Sequence, residues 1–136
     1  MMKWLYAPLS LPVFLVVGWG WLGLAPSAMA IGQFKDEFEG LYVKQGSIEA
    51  KDVAFAAAVR QARCNICHAG SSKKDHNGYG QALAVLLDRR EDRDNKEKIR
   101  EVLGQVFRMK SNPDDDKSPT YGELIEQGKL PGGNPE

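Results

Sequence analysis

Residues 60–70 read "RQARCNICHAG" and hold both cysteines of the chain, Cys64 and Cys67, with His68 directly behind them. Three chemistries use such a cluster: a redox dithiol, a zinc site and a covalently attached haem. The residues on either side discriminate between them, and they also set the fold class.

On the N-terminal side runs "VAFAAAVRQARC", in which Phe55, Val59 and Ala62 share one helical face among many alanines. Asp52 is the expected N-cap of that helix. The cysteines therefore come at a helix C-terminus with no strand before them. A catalytic dithiol belongs at a helix head in a strand–helix context, where the macrodipole lowers the first thiol's pKa, and here the dipole points the wrong way. A structural disulfide would close only a tiny loop and stabilise little. Zinc needs four ligands, and beyond the leader the chain offers only Cys64, Cys67, His68 and His76 of the preferred type, with a His68–His76 spacing longer than the finger pattern.

Haem gives each residue a task. Two thiols three positions apart on one helical turn can reach the two vinyl groups of a single porphyrin, and the adjacent imidazole then sits under the iron. Such attachment is expected outside the cytoplasm, and the N-terminus fits export. Lys3 is the only charge in residues 1–30, the stretch "WLYAPLSLPVFLVVGWGWLGL" is almost continuously apolar, and "APSAMA" supplies an A-x-A site at Ala28 and Ala30. Residues 1–30 read as a signal peptide, giving an exported, periplasmic chain beginning at Ile31. The apolar run approaches spanning length, so a retained leader would act as a membrane anchor.

The remainder of the chain carries helical periodicity only. "QFKDEFEGLY" sets Phe34, Phe38, Leu41 and Tyr42 on one face. "AGSSKKDHNG" is a loop of turn formers. "YGQALAVLLDRR" presents Tyr79, Leu83, Leu86 and Leu87. "NKEKIREVLGQVFRMK" is the strongest helix, with Ile99, Val102, Leu103, Val106 and Phe107 in a stripe. "EDRDN" reads as a solvated connection, because Asp92 and Asp94 lack the glycine and glutamate of a calcium loop. The aspartates of "SNPDDDKSP" read as solvated too. Ser118 and Pro119 are the expected cap and first residue of a final helix ending before Gly128. The fold class is all-α, with four or five short helices. The chain has 18 basic and 18 acidic residues, a balance with no electrostatic footprint for nucleic acid or an anionic membrane surface.

Through "CNICH" and the alanine-rich helix entering it, the chain resembles the cytochrome c family in its single-haem form. The resemblance implies an all-α domain around one haem c, with Cys64 and Cys67 in thioether bonds and His68 as proximal iron ligand. It implies no catalytic residue but a carrier of single electrons between redox partner proteins. On that frame residues 31–51 are an N-terminal helical extension, 52–128 the haem domain and 129–136 a tail.

Two features depart from the family pattern. No proline follows the motif before Pro113, so the acceptor for the second ring nitrogen of His68 is unassigned. The sixth ligand is open between Met109, the one methionine beyond the leader, His76, and no protein ligand at all. Methionine would suit outer-sphere electron transfer. An open position would suit a ligand-binding or sensor domain, or peroxidase-like chemistry, with Tyr79, Tyr121 and Arg108 as candidate polar neighbours.

Overall fold

In a computed structural model the described residues are 30–134. They form five helices: α1 Ala30–Tyr42, α2 Ala50–Ala62, α3 Gly78–Leu86, α4 Lys96–Phe107 and α5 Tyr121–Glu126. A 3-10 turn, Arg63–Ile66, continues directly from α2 and carries Cys64. The all-α class stands. Most of the leader lies outside the described residues, and among those described no helix is long and apolar enough to cross a membrane.

The α4 stripe is the centre of the core. Ile99, Val102, Leu103 and Val106 are buried, with α1, α3 and α5 packed around them. Asn95 begins the helix by accepting the Lys98 N–H at 3.0 Å, so one orphan donor of the first turn is satisfied. Helix α1 lies against α4 through Phe38, which is buried, and through Tyr42, whose ring stacks on Phe107. Buried Glu37 pairs with Arg100 and Lys96 of α4. Within residues 31–51, expected as an N-terminal extension, Phe38 and Val43 belong to the hydrophobic core. Leu41 points outward instead, and Val43 is buried in its place.

Other expectations shift by a residue or two. The N-cap position of α2 is Glu49, and Asp52 lies inside the first turn, buried, where it accepts the Ser47 hydroxyl at 2.8 Å and pairs with Lys44. A carboxylate there still meets the positive end of the helix. Asp92 is buried rather than solvated, because it holds both the Asp88 N–H and the Lys98 ammonium. The cap of α5 is Thr120, not Ser118. Thr120 and Glu123 form a reciprocal capping box, while Ser118 turns inward to Asn112. Gly128 does close that helix, with φ +76°. The expected tail folds back: Leu130 and Pro131 are buried.

Candidate functional site

The "CNICH" segment is pinned from behind by two residues of the following loop and helix. Asn77 is the N-cap of α3, and its carboxamide faces both ways. The oxygen accepts the Gly80 N–H at 2.9 Å. The nitrogen donates to the carbonyls of Asn65 and Ile66, each at 3.1 Å. The Asn77 backbone N–H donates to the Cys67 carbonyl at 3.1 Å. One side chain therefore serves a helix start and three carbonyls of the cysteine segment, the third being that of His68 at 3.4 Å. Gly80 permits the contact, since a Cβ there would lie 1.9 Å from the Cys67 carbonyl oxygen. Gly132 performs the same service for the returning C-terminus, where a Cβ would meet the Asn77 amide nitrogen at 2.1 Å.

In front of this scaffold lies a pocket of about 420 Å³, within the range of cofactor pockets, about 300–1,000 Å³. Its floor contains Cys64, Cys67 and His68. Its walls are Phe34 and Phe38 from α1, Ile66, and Leu83 and Leu87 at α3. The cations Lys35, Arg63, Lys73, Lys74 and Arg89 also line it, and among the described residues no carboxylate does. Arg63 has φ +50°, unusual for a residue with a side chain, and it immediately precedes Cys64.

The His68 ring has a defined hydrogen bond. Its Nδ1 lies 3.3 Å from the Asp75 carbonyl oxygen. A carbonyl only accepts, so the ring proton sits on Nδ1 and the Nε2 lone pair is left free. Burial holds the His68 pKa below the usual histidine value, helped by the charges of His76, Lys73 and Arg89 and opposed by the Asp75 hydrogen bond. The burial favours the neutral imidazole, the form that binds a metal. Burial pushes the Cys67 thiol up to about 12, with Cys64 adding to it. A thiol held that high is no thiolate nucleophile at neutral pH. Among the described residues no three of His, Cys, Asp and Glu converge as ligands of a bare metal ion, as zinc would require.

The other candidate residues divide. His76 lines the same pocket and stacks on His68, ring centroids 4.8 Å apart and planes at 27°. Met109 does not line the pocket. It follows α4 and is 42% exposed, its carbonyl accepting the Tyr121 N–H. Tyr79 and Tyr121 are buried against each other in the core, edge to face at 5.1 Å, rather than facing the pocket. Two contributors had no sequence signal as site residues: Asn77, which read only as part of a turn, and the backbone carbonyl of Asp75. The family-model, curated-protein and solved-structure comparisons all return no match to this chain.

Proposed function

We propose that the chain is an exported monohaem c-type cytochrome that carries single electrons between redox partner proteins. The observation that carries this reading is the shared pocket: both thiols and an imidazole whose Nδ1 is engaged by the Asp75 carbonyl line one apolar cavity. The residues fit the group on several counts. Cys64 and Cys67 would hold a haem through its vinyl carbons, and His68 would ligate the iron. The aromatic and aliphatic walls suit a porphyrin face. The cations lining the pocket suit its carboxylate edge, since an ion pair in partly dry surroundings gains more than in water. When bound, haem supplies a one-electron couple, and the protein's part is to orient it, exclude water and tune its potential.

The Asp75 carbonyl fills the role for which no proline is present. A hydrogen bond donated by the second ring N–H fixes the tautomer and makes the ligand more basic. The test is production of the full chain in a host with haem-attachment machinery. The expected product carries the mass of the polypeptide plus one haem and the visible bands of a c-type cytochrome. A colourless product of polypeptide mass overturns the reading.

A second reading draws on the position of Met109. Its absence from the pocket lining favours an iron whose sixth position takes an exogenous small molecule, making the domain a ligand binder or sensor. Carbon monoxide added to the reduced protein separates the two readings. Rapid binding supports the sensor, and refusal supports a six-coordinate carrier.

A further inference from the structure

The segment 69–76 returns the chain to the residue it left. His68 and His76 form an isolated antiparallel bridge, and the Asp75 carbonyl accepts the Ala69 N–H at 2.9 Å as well as the His68 ring proton. Lys73 ties the middle of the strap to the Asn65 side chain at 3.2 Å, and Asn77 anchors its end. The bridge places the His76 ring face to face with the His68 ring. His76 is itself exposed, so its ring stands between one face of the His68 imidazole and solvent.

This placement bears on coordination. An axial partner of His68 would have to lie across the iron from the His68 nitrogen. A ring stacked on the face of that imidazole lies beside it, and would stay on the His68 side of any iron that His68 held. The two positions are incompatible without unpairing the bridge and losing the Asp75 hydrogen bond. Stacking and the hydrogen bond act together: the carbonyl fixes one edge of the imidazole, and the neighbouring ring limits its rotation about the bond to the metal.

We propose that His76 is a positioning residue for the proximal imidazole and not an iron ligand, its ring serving with the Asp75 carbonyl as the brace that holds His68 in one orientation. The proposal rests on the haem reading. It requires only a flat ring at position 76, not a titratable or ligating nitrogen.

The experiment uses the full chain carrying covalent haem. Wild type comes first, and if it is colourless the haem reading falls and this proposal with it. On loaded protein, His76→Phe keeps a flat ring that cannot ligate, and His76→Ala removes the ring. The readouts are the visible spectrum, for axial ligation, and the haem-methyl proton shifts of the ferric protein, which follow the orientation of the axial imidazole. Expected are unchanged axial ligation in both variants, a haem-methyl pattern in His76→Phe that overlays wild type, and an altered order or spread of those shifts in His76→Ala. Loss of the same ligand field in both variants would identify His76 as a ligand and overturn the proposal. An unaltered methyl pattern in His76→Ala would also overturn it. Should His76→Ala not accumulate in loaded form, His76→Leu replaces it, with the same expected shift and the same overturning result.

Discussion

At the scale of single residues, the site depends on partners that surround the cysteines rather than on the cysteines alone. Asn77 is the clearest case. Its carboxamide joins the first turn of α3 to the carbonyls of Asn65, Ile66 and His68, so removing it leaves one helix donor and three partly buried acceptors short of partners. Each unmet group costs about 1–3 kcal/mol where water cannot reach it. Asn77→Ala is expected to destabilise the chain by about 2–3 kcal/mol, read as a lower urea midpoint at unchanged slope. A midpoint equal to wild type would mean that water replaces the carboxamide at no cost. Little of this was legible in the sequence. Cys64, Cys67 and His68 stood out because they are contiguous and chemically distinctive. Asn77 sits in "DHNGYG", where asparagine beside glycine signals a turn and nothing more. The Asp75 acceptor is a backbone carbonyl, a group every residue has, so no residue type could announce it.

At the scale of elements, the apolar periods located the helices well and the caps located their ends poorly. The stripes on α4 and on the buried side of α2 fell where the spacing put them, because a 3.6-residue period summed over three turns is hard to mimic. Helix starts moved by a few positions. Each start is crowded with residues able to cap: Ser47, Glu49 and Asp52 before and in α2, Ser118 and Thr120 before α5. Which one caps is decided by where the chain arrives from, and that is tertiary information. For α5 the outcome has an energetic consequence. The helix has six residues, too few to persist on propensity, so its capping box carries a large share of its stability. The Thr120 Oγ1 accepts the Glu123 N–H at 3.0 Å and the Glu123 carboxylate accepts the Thr120 N–H at 2.6 Å. Thr120→Ala is expected to cost about 1–2 kcal/mol. Ser118→Ala tests a different contact, the turn to Asn112. Hydrogen exchange resolves the two: Thr120→Ala should raise exchange at the amides of residues 123–127, and equal exchange with wild type would remove the box from the account.

At the scale of the whole molecule, three buried or capping carboxylates share a sign. The Ser47 hydroxyl holds the Asp52 pKa below its ordinary 3.8, the Lys98 ammonium does the same for Asp92, and the Thr120 backbone N–H holds Glu123 below 4.5. A folded pKa below the unfolded one contributes stability that is fully present above the unfolded value and is lost as pH falls through the folded one. These carboxylates should therefore make the thermal midpoint fall below about pH 4, while His68, whose folded pKa also lies below its ordinary 6.5, gives up stability earlier, as pH drops below about 6.5. Asp92→Asn should flatten that fall, and an equally steep fall in the variant would place the acid sensitivity elsewhere.

The same scale decides how far the fold depends on its proposed cofactor. Phe38, Ile66, Leu83 and Leu87 line the pocket and also belong to the hydrophobic core of the described residues. Filling the pocket therefore stabilises the global fold rather than a detachable corner, and a group held only by the folded state raises its stability through linkage. For a domain of this size a pocket left open to water is a large fraction of the available apolar burial. The double variant Cys64→Ala, Cys67→Ala cannot retain haem covalently but leaves every wall residue in place. Its thermal midpoint should lie well below that of the loaded protein, and its exposed pocket walls should bind a hydrophobic dye that the loaded protein does not. Equal midpoints would show that the helices hold themselves together and that the pocket contributes nothing to their cohesion.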